Sequence, residues 1–445
     1  MTIREALSHP TRAVPLGFLA AIAIGTSLLS LPIARVGDGG ASFMTALFTA
    51  TSAVCVTGLT VVDTGTYWSP FGQGVVLLLI QLGGLGIMTA ATLLGMLVTN
   101  RTRLGQRLLA QVETGISTLG DVTATLRLVL IVTLIVQSAI AALLFARLLL
   151  GYGQPVGTAA WQALFHAVSA FNNAGFGLYP DNVTRFALDP LVLVPLMIAI
   201  VIGGIGFPVL YELKRELWRP RCWSLHTKLT LTGTALLIPL GAFAVLAFES
   251  WNAATIGGMS AGDKLLNAVF HSVSTRTAGF NAVDVGAMRP ETLLASIGLM
   301  MIGGGSAGTA GGIKVGTFLV LGLIVYAEVQ GERDPVAFRR RIGGETQRLA
   351  LTIALLSIGT VAAAVFTLLS MTRFDLETIM FEAVSAFATV GLSTGITADL
   401  PPAGQAILVA LMFAGRVGTV TIAAALALRQ CKRPYRYPEE CPILG

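Results

Sequence analysis

A short sequence pattern occurs four times along the chain, and it restricts the possible folds more than any other feature. Each copy has a Phe, a Ser four residues later and a terminal Gly, with 10, 10, 9 and 10 residues from Phe to Gly. A second glycine-bearing tract follows each terminal Gly by 24 to 28 residues. Repetition on this scale predicts one structural unit built four times. The copies of the first pattern are 47–58, 164–175, 269–279 and 380–391.

Long apolar runs place these units in a membrane. Only 12% of the residues are charged, whereas a soluble domain has about 25%, and the mean hydropathy is +0.78. An apolar run of about 18 residues or more is long enough to cross a bilayer as a helix. Eight runs are predicted to be such helices: 14–34, 71–99, 126–150, 189–213, 226–248, 293–327, 349–371 and 404–429.

The segment between the two long helices of each pair is too short to span about 30 Å, so we expect it to enter and leave on one side. The predicted fold is an all-α polytopic membrane protein with four tandem helix–pore loop–helix repeats around a pseudo-fourfold central pore. The predicted repeats are 1–100 with its pore loop at 44–60, 101–225 with 159–177, 226–347 with 263–281 and 348–430 with 376–393, followed by a cytoplasmic tail at 431–445.

Basic residues occur in alternate connections, which indicates the orientation. The opposite connections hold the acids Asp63, Asp181, Asp284 and Asp399. These either concentrate cations at an outer mouth or are solvated loop acids or turn caps. By the positive-inside rule, both termini are predicted to be cytoplasmic. The basic connections contain Arg101, Arg103, Arg107, Lys214, Arg215, Arg219, Arg221, Arg333, Arg339, Arg340, Arg341, Arg429, Lys432, Arg433 and Arg436.

The terminal glycines suggest a route for cations. Irregular backbone at membrane depth is tolerated where it lines a cavity or is buried in protein, and glycine lets such backbone adopt positive φ. Carbonyl groups turned inward can replace the hydration shell of a monovalent cation, and the carboxyl ends of short helices favour positive charge. The alternative is that these glycines only let helices pack closely. Four glycines at matched positions favour the pore.

Three tracts resemble the Trk/Ktr/HKT potassium-uptake superfamily, and most of all its KtrB-type membrane subunits. They are Ala170–Phe176, Arg276–Asn281 and Ala388–Leu392. The resemblance extends over essentially the whole chain. It implies passive, channel-like transport of K⁺, with one ion-binding glycine per repeat at Gly58, Gly175, Gly279 and Gly391, and a fold without enzymatic activity.

The resemblance assigns a selectivity filter to the glycines and the two residues before each of them. Glycine in all four repeats implies K⁺ permeation, whereas some relatives with Ser in the first repeat favour Na⁺. One glycine turn per repeat offers few carbonyl layers, so modest discrimination against Na⁺ and Rb⁺ is expected. The implied filter comprises Val56, Thr57, Gly58, Asn173, Ala174, Gly175, Thr277, Ala278, Gly279, Thr389, Val390 and Gly391.

Two differences between the inner helices of the four repeats predict a gate. Residues 303–314 contain too many glycines for an intact helix, and the resemblance implies an intramembrane loop below the filter; a simple kink is the alternative. Arg416 replaces a glycine of repeats one and two, and the resemblance implies a positive barrier there rather than a structurally paired arginine. The implied gate comprises Gly303, Gly304, Gly305, Ser306, Ala307, Gly308, Thr309, Ala310, Gly311, Gly312, Lys314 and Arg416.

The resemblance also implies partners. It predicts a homodimer in the lipid of a bacterial inner membrane, with a cytosolic KtrA-type ring that binds nucleotide. A GxGxxG match at Gly303, Gly305 and Gly308 lies within an apolar span without a βαβ unit, so no nucleotide site is predicted in this chain, and nothing suggests nucleic-acid binding. Activation by Na⁺ is left open. The alternative function is a cation-coupled symporter, although such carriers often have inverted repeats.

Overall fold

The computed structural model describes residues 10–86 and 119–418, with side chains over 13–86 and 127–418. Within this part the chain forms fifteen α-helices and one two-stranded hairpin. The predicted tail at 431–445, the ends of the predicted helices 71–99 and 404–429, and Arg101, Arg103 and Arg107 lie outside the described residues. The predicted all-α fold is confirmed.

Four outer helices frame the molecule: α1 (Pro10–Leu29), α5 (Leu119–Tyr152), α9 (Leu225–Glu249) and α13 (Gly344–Met371). Among the described residues, stretches of α5, α9 and α13 are each long and apolar enough to cross a membrane. The first helix ends earlier than the predicted 14–34 run, and a 3₁₀ turn at Pro32–Ala34 follows it. Proline supplies no backbone donor, which favours a new turn over continued α-helix.

Four short helices follow the outer helices: α2 (Phe43–Val54), α6 (Val156–Phe171), α10 (Ala261–Ser274) and α14 (Leu376–Ala388). We call these the pore helices. Serine begins two of them: Ser42 accepts from the backbone N–H of Thr45, and Ser260 accepts from that of Asp263. Such caps satisfy amide groups that a helix start leaves without partners. The last five residues of every pore helix are buried.

The inner helices are α4 (Pro70–Leu85), α7 (Pro190–Ile205), α11 (Pro290–Met301) and α15 (Pro402–Val417). Each begins at proline, whose fixed φ suits the first helical position. They are shorter than the predicted apolar runs, because α4, α7 and α15 end at glycines with φ of +82° at Gly86, +103° at Gly206 and +92° at Gly418. After Gly206 the chain continues as α8 (Phe207–Glu216), turned by 96°.

The remaining elements are small. Helix α3 (Thr64–Tyr67) lies between α2 and α4, and α12 (Val315–Val329) follows the loop that α11 leads into. Strands β1 (Val336–Ala337) and β2 (Arg340–Arg341) form an antiparallel hairpin before α13.

The packing between units is cyclic. The inner helix of each unit packs against the pore helix of the next: α4 against α6, α7 against α10, α11 against α14, and α15 back against α2. The four units therefore close into a ring in chain order. This closure brings the carboxyl ends of the four pore helices together.

Candidate functional site

The four terminal glycines form a closed ring, which we call the glycine ring: Gly58, Gly175, Gly279 and Gly391. All four have positive φ, between +70° and +94°. A Cβ atom on each would meet the neighbouring loop: on Gly58 it would overlap the Ala174 carbonyl, on Gly279 that of Val390, and on Gly391 that of Thr57. On Gly175 it would lie 2.8 Å from the Ala278 carbonyl oxygen. Only glycine fits at each position without displacing backbone.

A second conformational feature recurs two residues before each glycine. Val56, Asn173, Thr277 and Thr389 have φ of 57°, 57°, 73° and 52°. A left-handed residue other than glycine costs about 1–3 kcal/mol, and such strain concentrates at functional sites. Three of the four side chains are β-branched, for which positive φ is an outlier. The same unfavourable conformation at four matched positions indicates a constraint on the loops themselves.

The repeated serine supports the ring in two of the units. The backbone N–H of Gly58 donates to Ser52 Oγ at 3.1 Å, and that of Gly391 donates to Ser385 Oγ, also at 3.1 Å. In repeat three the loop is one residue shorter, and the Ser274 hydroxyl donates to the carbonyl of Phe280 instead. The serine of the pattern therefore acts as a brace whose partner depends on loop length.

A cavity of about 410 Å³ lies next to the ring, and it is lined by the residues that follow the glycines in the chain. Asp63 and Asp284, two of the predicted outer acids, line it. Asp181 instead pairs with Arg185 across 2.6 Å. Burial acts to raise the pKa of Asp181, but hydrogen bonds from Arg185 outweigh it and hold that pKa below its usual range. Asp63 and Asp284 also act as turn caps, because they accept from the backbone N–H groups of Thr66 and Gly286.

One wall of this cavity is anchored by Glu382, a fully buried residue of pore helix α14. Its carboxylate accepts from the hydroxyl of Ser393, from the backbone N–H of Thr394 at 3.1 Å and from the hydroxyl of Thr397 at 3.0 Å. All three donors line the cavity. Buried carboxylates are tolerated when such donors surround them. The sequence pattern did not single out this network.

The 303–314 loop occupies the opposite side of the ring. It contacts residues that precede the glycines: a Cβ on Gly311 would overlap Thr389. Backbone hydrogen bonds join it to the broken end of α7, from Gly305 N–H to the Gly204 carbonyl at 2.8 Å and from Thr309 N–H to the Gly203 carbonyl at 3.3 Å. The loop is thus a defined element held by the inner helix of repeat two.

Two cationic side chains of the predicted gate, Lys314 and Arg416, donate hydrogen bonds to backbone carbonyls of this loop. Lys314 Nζ donates to the Ala310 carbonyl at 2.5 Å. Arg416 Nη1 donates to the Thr309 carbonyl, and its Nη2 donates to the Gly83 carbonyl at 2.5 Å. Arg416 lies in the last turn of α15, where the helix dipole favours a cation. Its side chain connects repeats one, three and four.

Residues 11–432 match the family model of TrkH, described as a cation transport protein. The chain belongs to the TrkH family. Family members are cation transporters rather than enzymes, and the apolar helices make the chain a multi-pass membrane protein. The family predicted from the sequence tracts is therefore confirmed.

Individual relatives match over almost the whole chain. Ktr system potassium uptake protein B of Bacillus subtilis is 40% identical over 97% of this chain and 95% of its own. The protein of the same name from Vibrio alginolyticus is 37% identical over 98% and 94%. Potassium/sodium uptake protein NtpJ of Enterococcus hirae is 33% identical over 100% and 98%.

A solved structure supports the same fold. The crystal structure of the potassium transporter TrkH from Vibrio parahaemolyticus matches with a TM-score of 0.71 over 93% of this chain and 85% of that one. The two sequences are 17% identical, so this likeness concerns the fold alone.

Sequence reasoning missed one element of this TrkH-family site, the breaks that end three inner helices. The signal was present in the tracts 83–86, 203–206 and 415–418, whose last glycine in each case adopts positive φ. The breaks matter because carbonyls just before them accept from the 303–314 loop and from Arg416. A helix that continued through these positions would use those carbonyls in its own hydrogen-bond ladder.

Proposed function

We propose that this chain is the potassium-translocating membrane subunit of a Ktr-type uptake system, and that it conducts K⁺ passively through the glycine ring. The ring of four left-handed glycines, each against the next loop, is the observation that carries the proposal. Backbone carbonyls replace the hydration shell of an ion at such a ring, and the converging pore-helix ends stabilise positive charge. The four glycines and the two residues before each form the selectivity filter.

Potassium is the proposed substrate for two reasons. Two of the relatives reported above carry potassium uptake alone in their names. All four ring positions are glycine, so no side chain narrows or alters the carbonyl ring. A relative named for potassium and sodium uptake leaves a role for Na⁺, as an activator or a second permeant ion, within the same scheme.

The 303–314 loop and Arg416 form the gate in this proposal. The loop lies directly behind the ring and is held by hydrogen bonds from two directions. Arg416 adds a positive charge beside the conduction path, which raises the electrostatic barrier for a cation. Opening requires the loop to leave the α7 carbonyls and Arg416 to release its acceptors.

Control of the gate is assigned to a separate polypeptide. The Ktr system names of the relatives suggest a partner subunit, and we propose a cytosolic KtrA-type ring that binds nucleotide and docks on the basic cytoplasmic loops. The chain itself is proposed to be a homodimer in a bacterial inner membrane with both termini cytoplasmic, as the distribution of basic residues favours.

Ion flux into proteoliposomes tests the proposal. Purified protein should pass ⁸⁶Rb⁺ or K⁺ down its own gradient with no second ion gradient present. Empty liposomes and liposomes with a variant lacking the ring geometry, Gly279→Val, provide the controls. Flux that occurs only when driven by an H⁺ or Na⁺ gradient would instead support the symporter alternative and overturn passive conduction.

A further inference from the structure

A second cavity, of about 340 Å³, lies away from the glycine ring between α9, α12 and α13. This is within the usual size of ligand sites, about 300–1,000 Å³. Most of its lining is apolar, from Leu225, Leu229, Val320, Ile342, Ala350 and Ile353. Neither the glycine ring nor Arg416 contributes to it. Conduction as proposed above gives this cavity no role.

The 303–314 loop contributes Ser306 to the lining of the cavity. The residues on either side of Ser306 hold the loop against repeat two: Gly305 N–H donates to Gly204, and the Ala307 carbonyl accepts from Phe207 N–H at 3.2 Å. An occupant of the cavity would therefore contact the loop at the point where it is attached. That contact couples occupancy to the loop's position.

The mouth of the cavity, on the side of the exposed Arg341, carries one cationic side chain. His226 lines the cavity as a hydrogen-bonding imidazole, and Lys228, one residue before the lining residue Leu229 on α9, has its Nζ 6.0 Å from the ring centroid of Phe338. Arg341 also pairs with Asp334 across 3.2 Å, but its side chain is 70% exposed. The start of α13 adds Gly343 and Thr346 to the lining. Helix amino ends favour anions, and this one also carries the acidic Glu345 in its first turn. These groups suit a phosphate.

Exposed apolar side chains border the cavity. Leu349, part of its lining, is 49% exposed on α13, a helix long and apolar enough to span the membrane. Phe338, at the tip of the hairpin beside the mouth, is likewise 49% exposed. Exposed apolar side chains next to arginines are typical of a membrane interface. A water-soluble anion would not use this apolar interior.

We propose that an anionic phospholipid occupies this cavity, with its phosphate at Arg341 and His226 and an acyl chain along the apolar walls to Ser306. Basic pockets between helices on the cytoplasmic side bind anionic headgroups in other membrane proteins. The occupant biases the 303–314 loop, so lipid composition regulates opening. The regulatory half rests on the function proposed above, whereas the binding half does not.

Filling the cavity tests the binding half. Gly316 lines it, and a Cβ at that position meets nothing within 4 Å, so Gly316→Leu should fold and occupy the space. Gly322 lies on the same helix, is equally open and does not line the cavity, which makes Gly322→Leu the matched control. Native mass spectrometry of the purified full chain then counts phosphatidylglycerol and phosphatidylcholine retained under identical conditions.

Phosphatidylglycerol retention should fall about tenfold in Gly316→Leu and stay at the wild-type level in Gly322→Leu. Arg341→Gln should weaken it about fivefold, whereas Arg340→Gln, the neighbouring strand residue outside the cavity, should not. Loss in both leucine variants or in neither, or equal retention of the two lipids by the wild type, would overturn the site.

Flux then tests the regulatory half. Wild-type K⁺ flux should change with the phosphatidylglycerol content of the liposomes, and Gly316→Leu should not respond. Flux that responds equally in both proteins overturns regulation from this cavity. Absence of any flux, with cavity-dependent lipid retention intact, would instead refute the proposed function and leave the lipid site standing.

Discussion

Arg416 in the fourth repeat donates a hydrogen bond to the carbonyl oxygen of Gly83 in the first, over 2.5 Å. The same guanidinium donates to Thr309 in the loop of the third. One side chain thereby ties three units together behind the glycine ring. The two acceptors are a carbonyl of the 303–314 loop and a carbonyl in the last turn of α4, so Arg416 attaches this loop to the inner helix of the first repeat.

Replacing Arg416 with Ala should raise K⁺ flux. A hydrogen bond from a charged donor contributes about 1.5–3 kcal/mol, so losing the one to Thr309 should shift the loop towards its released position by about tenfold or more. Removal of the positive charge lowers the barrier further. Proteoliposome flux measures the effect, with thermal unfolding in detergent to show that the variant is folded.

Arg416→Lys separates the contribution of the positive charge from that of the hydrogen bonds. Lysine keeps the charge but lacks the planar guanidinium that donates to both carbonyls. The flux of this variant should lie between those of the wild type and Arg416→Ala. A folded alanine variant with wild-type flux would contradict the role of Arg416 in the gate.

Much of this architecture could be predicted from the sequence, because it follows from the fourfold repeat and from the lengths of the apolar runs. The four pore loops, their glycines and the irregular 303–314 segment all followed from local patterns. The residue types do not show which loop lies next to which, so the cyclic contact of Gly391 with Thr57 could not be foreseen. Contacts between distant units arise from packing rather than local propensity.

The hydrogen-bond partners of the buried polar side chains could not be predicted from the sequence either. Glu382 occupies the position that holds Thr49, His166 and His271 in the other repeats, and these residue types share no chemistry. Its role became visible only with the three donors around it. Likewise, the repeated Ser was predicted as part of a pattern, whereas its partner differs between Ser52 and Ser274 because their loops differ in length.

Gly58→Ser should raise Na⁺ permeation relative to K⁺. The position has φ of +90°, and a Cβ there would overlap the Ala174 carbonyl, so the serine must displace part of the ring. Gly37→Ser is a matched control, since Gly37 has φ of +95° and nothing within 4 Å. Na⁺ and K⁺ fluxes under equal gradients give the ratio. An unchanged ratio in folded Gly58→Ser would argue against the filter assignment.

Glu382→Gln should weaken K⁺ uptake at low concentration and destabilise the protein by about 1–3 kcal/mol. In the wild type, the hydroxyls of Ser393 and Thr397 donate to the Glu382 carboxylate. In the variant, the amide NH₂ group would face these hydroxyls with a second donor. Concentration-dependent flux should show a higher half-saturating K⁺ concentration. Glu332→Gln, which removes an exposed charge away from both cavities, serves as the control. Identical behaviour of the two variants would mean that Glu382 has no special part in the wall of the cavity next to the glycine ring.

Ser52→Ala should lower both selectivity and stability, because the buried Gly58 N–H loses its acceptor at 3.1 Å. An unpaired buried donor costs about 1–3 kcal/mol, and part of that cost is relieved by moving Gly58 out of the ring. Ser385→Ala should act in the same way through Gly391.

The chain supplies its own control for this prediction. Ser169 holds the same place in the pattern of repeat two, but within the described part of the chain its hydroxyl has no hydrogen-bond partner. Ser169→Ala therefore removes the same hydroxyl from an equally buried position, but it takes no hydrogen-bond acceptor away from a glycine N–H. If the K⁺/Na⁺ flux ratio and the unfolding temperature fall in Ser52→Ala and Ser385→Ala but not in Ser169→Ala, the hydrogen bond to the ring is responsible. Equal losses in all three would assign the effect to packing of the pore helices instead.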